Sequence, residues 1–125
     1  MTPEAIQKGL RTRSFGRILH CLSQVGSTND VALHLAAQGA PEGTVVTAET
    51  QTRGRGRQGR RWSTAKGKAL AFSIVLRPRI HPDELAEITL AGAVAIARAM
   101  EDYGFKPSIK WPNDLLIKGK KVCGI

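Results

Sequence analysis

Residues 44–76 read TVVTAETQTRGRGRQGRRWSTAKGKALAFSIVL. The segment 44–50 is rich in β-branched residues and is typical of a strand. The segment 69–76 is almost continuously apolar, which predicts a second strand in the centre of a sheet. Between them, 53–68 contains five Arg, two Lys and no Asp or Glu. This part of the chain therefore predicts a sheet that carries a long, glycine-rich cationic loop.

The segments on either side predict further helices and strands. Helices are predicted over 3–9, from Ser27 or Thr28 to Gly39, and over 83–102, and strands over 17–25, 108–111, 114–117 and 121–125, with turns at 112–113 and 118–120. The long helix has wide apolar coverage, so we expect it to be buried on more than one side. The pattern indicates an α/β domain of strand hairpins covered by helices. The chain stops inside an apolar strand, so we expect the domain to be incomplete at its C-terminus.

The composition narrows the class of protein. The chain has 125 residues and a formal net charge of +9, and most of that charge lies in the segment 53–68. No apolar run approaches the roughly 18 residues that a membrane helix needs, and the N-terminus lacks the features of a signal peptide. A cytoplasmic protein without a membrane partner is expected. Cys21 and Cys123 are far apart in sequence and suggest reduced core thiols.

Three interpretations of the cationic loop are open. It could be a solvated loop without a role. It could bind nucleic acid, since RGRGR resembles arginine-glycine segments that contact single strands, although Trp62 is its one aromatic residue. It could also clamp phosphate groups, because arginine presents a planar fork of donors and glycine lets backbone amides come close. The segment contains no P-loop motif.

A second group of polar residues lies near the end of the chain. Residues 110–114 read KWPND and residues 119–125 read GKKVCGI. The predicted hairpin would hold Lys121 at a fixed point, and Asn113 and Asp114 offer oxygen atoms for Mg²⁺ or a ribose. Taken singly, Asp114 is an ordinary turn residue and Lys121 an ordinary surface lysine. His20, His34 and His81 lack the spacing of metal ligands.

Taken together, these segments resemble the catalytic domain of biotin protein ligases. Residues 26–30, GSTND, resemble the family's S-T-N segment. Residues 51–60 with Trp62 resemble its G-R-G-R-x-G-R loop. Residues 110–115, KWPNDL, and 121–125, KVCGI, resemble its K-W-P-N-D and K-x-x-G-I blocks. The three blocks occur in the family's order over nearly the whole chain.

The resemblance implies a fold and a reaction. The fold is a mixed, largely antiparallel sheet flanked by helices, similar to class II aminoacyl-tRNA synthetases. In the reaction, the biotin carboxylate attacks the α-phosphate of ATP, with Mg²⁺, to give biotinyl-5′-AMP. A lysine of a biotin carboxyl carrier domain of a carboxylase then takes the biotin.

The resemblance also implies roles for individual residues. Biotin would be bound by Ser27, Thr28, Asn29 and Gln51. The adenylate would be enclosed by Arg55, Gly56 and Arg57. Lys121 would hold the biotin carboxylate and the reacting phosphate, and it is expected to be catalytic together with Arg57. The nucleotide side of the site would include Trp62, Lys110 and Asn113, and Asp114 would bind Mg²⁺.

The chain departs from the family pattern at both ends. We expect residues 1–125 to be part of the catalytic domain, without an N-terminal DNA-binding domain or a C-terminal β-barrel. No nucleic-acid partner is expected, and a homodimer is compatible with the resemblance. Lipoate ligases share the fold, but their loop pattern differs. The remaining alternative is a nucleic-acid-binding module that uses the loop 53–68.

Overall fold

The computed structural model describes residues 2–63 and 66–125. Thr64 and Ala65, inside the predicted loop, lie outside the described residues. The chain divides into two compact units, Met1–Arg77 and Pro78–Ile125. Within the described ranges, no helix has both the length and the apolar character to cross a membrane.

The first unit is a three-stranded sheet with helices. Its elements are α1 (Pro3–Gln7), β1 (Leu19–Val25), α2 (Thr28–Ala37), β2 (Val45–Gln51), β3 (Gly54–Arg55), β4 (Arg61–Trp62) and β5 (Ala71–Ile74). Strand β2 lies between β1, with which it pairs in parallel, and β5, with which it pairs antiparallel. The predicted strands and helices of this region are therefore present, with bounds that are shorter or, for β2, shifted by one residue.

The core of the first unit forms where α2 packs on β2 and β5. Ala32 of α2, Val46 of β2 and Val75 after β5 are buried together. Burying a valine side chain contributes about 1.5–3 kcal/mol. This core fixes the N-terminus of α2 beside the end of β2, where the predicted biotin residues lie.

The prediction that the apolar run 69–76 is a central strand is wrong. Among the described residues β5 pairs with β2 alone, and it lies at the edge of this sheet. One face of the run is covered by α2, whereas Phe72 and Ile74 on the other face are 42% and 38% exposed. A continuous apolar sequence shows that the side chains are apolar, but it does not show how many strands pair with the segment.

The cationic segment also differs from the predicted loop, because part of it is a hairpin. Strands β3 and β4 pair antiparallel, with Gly54 opposite Trp62 and Arg55 opposite Arg61, around a short 3₁₀ turn at Arg57–Gly59. A Cβ atom at Gly54 would lie 2.3 Å from the Trp62 carbonyl oxygen. The hairpin therefore depends on a glycine at residue 54.

The second unit is an antiparallel sheet with one long helix. Its elements are α3 (Leu85–Asp102), β6 (Ser108–Lys110), β7 (Asp114–Ile117) and β8 (Lys120–Gly124), in the sheet order β6-β7-β8. Lys118 and Gly119 connect β7 and β8 with φ angles of 49° and 75°, as a two-residue type I′ turn requires. The two predicted hairpins and the mixed, largely antiparallel fold class are confirmed.

The prediction that the long helix is buried on more than one side is wrong. Ala93 and Ala97 of α3 pack against Leu115 of β7, whereas Leu90 and Val94 are 38% and 37% exposed. The small residues Ala93 and Ala97 make the contact with the sheet, whereas the larger Leu90 and Val94 are exposed. The apolar pattern of a helix therefore does not show how many of its faces are packed.

Candidate active site

A hydrogen-bonded group of polar side chains lies at the N-terminus of α2. The backbone N–H of Thr28 donates to Gln51 Oε1 at 2.7 Å, and the Thr28 hydroxyl donates to the same oxygen at 3.1 Å. The Thr28 hydroxyl also lies 2.9 Å from Ser73 Oγ. Because a backbone N–H can only donate, it fixes which end of the Gln51 amide faces the helix. Ser73 was not predicted, since a single serine in an apolar strand gives no signal.

The structure brings three of the four predicted biotin residues together. Ser27 and Thr28 are buried at the start of α2, and Gln51 at the end of β2 bonds to Thr28. Ser27 is the N-cap residue, but its side chain makes no capping hydrogen bond. Gln51 satisfies a free N–H of the first turn in its place. Asn29 follows in the same turn and is exposed.

The arginine-rich hairpin borders a cavity of about 440 Å³. Its charged lining residues are Asp30, Arg53, Arg55, Arg60 and Arg61. Glycines of the hairpin form the rest of the wall, Gly56 among them. Four arginine residues around one cavity favour an anionic ligand, and the glycines leave the backbone accessible. We call this cavity the arginine cleft.

The site residues that were predicted in the cationic loop lie at different positions relative to the arginine cleft. Arg55 and Gly56 line it, as expected for residues that enclose a phosphate group. Arg57 lies in the 3₁₀ turn and is exposed. Trp62 is half-buried in β4 opposite Gly54. Arg53, Arg60 and Arg61 were not singled out, although the same charge pattern contains them.

An ion pair links the hairpin to α2. Arg55 donates from Nη2 to Asp30 Oδ1 and from Nη1 to Asp30 Oδ2, the latter at 3.4 Å. Both side chains are about half exposed, at 58% and 44%. An exposed pair of this kind contributes roughly 0.2–1 kcal/mol. The sequence does not reveal it, because the two residues are 25 positions apart.

In the second unit, Lys121 of β8 pairs with Asp114 at the start of β7. Lys121 Nζ lies 2.7 Å from Asp114 Oδ1, a buried oxygen that this ammonium group compensates. A Cβ atom at Gly124 would lie 3.0 Å from both Nζ and Cε of Lys121. The glycine therefore leaves the space that the lysine side chain occupies.

The other predicted nucleotide residues of this unit have distinct surroundings. Asn113 is buried, and its Nδ2 donates to the carbonyl oxygen of Ile125 at 2.9 Å. The Ile125 N–H in turn donates to the Asn113 carbonyl oxygen at 3.0 Å. Asn113 thus joins the turn before β7 to the end of β8. Lys110, at the end of β6, is exposed and opposite Asp114 in the strand register.

The groups around Asp114 show whether this residue could bind Mg²⁺ as predicted. In the described residues, no group of three or more His, Cys, Asp and Glu side chains could hold a metal ion. With the Lys121 ammonium 2.7 Å from Asp114 Oδ1, the residues do not fit a second cation at that oxygen. Magnesium binding by Asp114 stays a prediction from the resemblance, and the contact with Lys121 disfavours it.

Cys123 does not add a reactive group to this region. Burial raises the pKa of the Cys123 thiol, and the nearby Lys121 ammonium lowers it to a smaller extent. The side chain packs against Leu115 in the core of the second unit. Its thiol is therefore protonated at neutral pH and acts as part of the core.

The model of the biotin/lipoate A/B protein ligase family matches residues 21–125. The chain belongs to this family. The match includes every predicted site residue, from Ser27 to Lys121. The nucleic-acid interpretation of the loop gains no support from it.

Relatives within the family are biotin ligases. The chain is 41% identical to the bifunctional ligase/repressor BirA of Bacillus subtilis over 126 residues, which cover all of this chain and 39% of that protein. It is 34% identical to the biotin–[acetyl-CoA-carboxylase] ligase of Mycobacterium tuberculosis, covering all of this chain and 51% of the relative. The chain thus spans about half or less of the length of these relatives.

Solved structures show the same likeness. The biotin protein ligase of Aquifex aeolicus in complex with biotin and ATP matches with a TM-score of 0.74 and 34% identity, over 86% of this chain and 45% of that one. The biotin protein ligase of Leishmania major in complex with biotinyl-5-AMP matches with a TM-score of 0.72 and 29% identity, over 86% and 50% of the two chains.

Proposed function

We propose that this protein is a biotin protein ligase, which activates biotin with ATP as biotinyl-5′-AMP and then transfers the biotin to a lysine. Residues 1–125 would form part of its catalytic domain. The observation that carries the proposal is the arginine cleft beside the buried Thr28–Gln51 group. One end of α2 thus offers a basic surface for a phosphate and a neutral polar surface for an uncharged head group.

The polar group at α2 favours biotin over lipoate. Biotin carries a cyclic urea with two N–H donors and one carbonyl acceptor, which hydroxyl and amide side chains can bond. Ser27, Thr28 and Gln51 supply such groups, two of them on buried residues. The dithiolane ring of lipoate has no comparable donors or acceptors. Biotin can therefore add hydrogen bonds to this group of side chains that the ring of lipoate cannot make.

The chemical step joins two anions, and the cations of this chain offset their repulsion. A biotin carboxylate oxygen forms a bond to the α-phosphorus of ATP, and the bond to pyrophosphate breaks. Arg55, Arg57 and the backbone at Gly56 would bind the phosphate groups, with Trp62 and Lys110 at the nucleotide. Lys121 would bind the carboxylate and the α-phosphate together, at a position that its pair with Asp114 prepares. Mg²⁺ would arrive bound to the phosphates of ATP.

In the second step, an acceptor lysine nitrogen attacks the acyl carbon of the adenylate and loses a proton, and AMP leaves. We propose a biotin carboxyl carrier domain of a cytoplasmic carboxylase as the acceptor. A homodimer stays a prediction from the resemblance.

Thermal unfolding of the complete protein tests the ligand class. Biotin with MgATP should raise the melting temperature more than either ligand alone, because the adenylate occupies both surfaces. Lipoate with MgATP should raise the melting temperature no more than MgATP alone does. A larger shift with single-stranded RNA than with biotin and MgATP would contradict the proposal.

A further inference from the structure

We propose that Asp30 is a positioning residue that holds the Arg55 guanidinium in place in the arginine cleft for a phosphate-bearing ligand. The inference rests on the proposed function for the identity of the physiological ligand. The resemblance to the family gave Asp30 no role, and the contact that suggests one joins α2 to β3.

The charges around Arg55 show why a partner is needed. Arg55 lies directly opposite Arg61 in the β3–β4 hairpin, and like charges in directly opposed positions destabilise a strand pair. Arg53 and Arg60 line the same cavity. Asp30 is the one acidic residue among the described lining residues, and it contacts Arg55 through both carboxylate oxygens.

The two ends of this ion pair differ in how firmly the fold holds them. Asp30 lies in the first turn of α2, two residues before the buried Ala32 of the core. Arg55 lies on a hairpin of two-residue strands, which has little stability of its own. The pair therefore ties a long, flexible side chain to a fixed point. A side chain held in its binding geometry loses less entropy when the ligand arrives.

The pair leaves Arg55 able to bind a ligand. A guanidinium group has five N–H donors, and Asp30 accepts from the two terminal nitrogens. Donors on Nε and on the outer edges of the terminal nitrogens remain for a second anion. With four arginines and one aspartate in its lining, the cleft also keeps a net positive charge. Asp30 thus orients Arg55 without neutralising the site.

A double-mutant cycle on pyrophosphate binding, measured by calorimetry on the complete protein, tests the inference. Pyrophosphate is the probe because its binding needs neither biotin nor catalysis. The variants are Asp30→Asn, Arg55→Lys and the double variant. Each single change should weaken binding by about 2- to 5-fold, the range expected for an exposed pair. The double variant should bind pyrophosphate no more weakly than the weaker-binding of the two single variants.

Two further variants serve as controls. Glu4→Gln, on an exposed residue of α1, makes the same change in net charge and should leave binding as in the wild type. Asp30→Glu keeps the carboxylate and should retain binding within about 2-fold. All variants should melt within about 4 °C of the wild type, since surface changes of this kind alter stability little.

Two results would overturn the inference. If Asp30→Asn binds pyrophosphate more tightly than Glu4→Gln does, Asp30 competes with the ligand instead of orienting Arg55. If the two single effects add in the double variant, the residues act independently. Failure of the proposed function is seen separately, as an absence of biotin-dependent pyrophosphate release by the wild-type protein.

Discussion

Lys121 occupies a position that the backbone of the β7–β8 hairpin determines. The type I′ turn at Lys118 and Gly119 sets the register, and Asp114 holds the ammonium group. Lys121→Ala should therefore reduce adenylate formation by about 100-fold or more, because the proposed reaction loses a preorganised cation at the reacting atoms. The protein should stay folded but melt at a lower temperature, because the buried Asp114 Oδ1 loses the ammonium group that compensates it. Pyrophosphate release with biotin and MgATP measures the first effect, and calorimetric unfolding the second.

Lys120→Ala is the control for this prediction. Lys120 is the next residue along β8, pairs with Ile117 and is exposed, and successive strand side chains point to opposite faces. Lys120→Ala should therefore leave the rate of adenylate formation within about 2-fold of the wild type. If Lys120→Ala were the damaging change and Lys121→Ala silent, the assignment of the cation would be wrong by one residue.

Gly124 offers a second test of the same pair. In Gly124→Ala, the new Cβ would lie 3.0 Å from the end of the Lys121 side chain, which can move away at little cost in stability. We expect at least a 10-fold loss in adenylate formation with an almost unchanged melting temperature. Gly92→Ala is the matched control, because its Cβ would meet Ile125 at 3.6 Å, an ordinary contact, and alanine favours a helix. Equal activity of the two variants would argue against a role for the Lys121–Asp114 contact.

For individual residues, the sequence predicted which residue types belong to the site, but it did not predict the contacts between them. The S-T-N, G-R-G-R and K-x-x-G-I segments pointed to Thr28, Arg55 and Lys121. Ser73 was not predicted as part of the site, because its partner Thr28 is 45 positions away in the sequence. Such a pair depends on how α2 packs on β5, and no local pattern encodes that packing.

Among the elements, the β3–β4 hairpin carries the arginines, and its geometry depends on Gly54. In Gly54→Ala, the Cβ would lie 2.3 Å from the Trp62 carbonyl oxygen, so the two strands would have to separate. Pyrophosphate affinity should fall by about 10-fold or more, while the core of α2 and β2 keeps the unit folded. Calorimetry of binding and circular dichroism measure the two effects.

Gly56→Ala controls for the loss of a glycine from the same hairpin. Its Cβ would meet Arg60 at 3.4 Å, a contact that needs at most a small shift. The amide proton of Gly56, which donates to the Arg60 carbonyl oxygen at 2.7 Å, should keep its exchange protection in Gly56→Ala and lose it in Gly54→Ala. Retained protection in both variants would mean that the hairpin does not need Gly54.

The elements differ in how far the sequence predicts them. The β7–β8 hairpin was predicted because Lys118–Gly119 is a strong local turn signal between apolar segments. The β3–β4 hairpin was not, since its two-residue strands consist of arginine, glycine and tryptophan and show no alternation. The edge position of β5 also escaped prediction, because the order of strands in a sheet is a property of tertiary structure.

For the chain as a whole, the distribution of charge explains the excess of basic residues. The net charge of +9 comes mainly from the segment 53–68, of which four arginines line the arginine cleft, and the rest of the chain is nearly neutral. A protein that coats nucleic acid usually spreads positive charge over a face. Concentration at one cavity instead fits a small anionic ligand, in agreement with the membership of the biotin/lipoate A/B protein ligase family.

Pyrophosphate release by the complete protein in the presence of MgATP tests the central proposal most directly. With biotin, the wild-type protein should release pyrophosphate and form biotinyl-5′-AMP, which mass spectrometry would detect, and Lys121→Ala should do neither at a comparable rate. With lipoate or without an acid, release should stay at background. Release that is equal with lipoate and biotin, or that does not depend on biotin, would contradict the account.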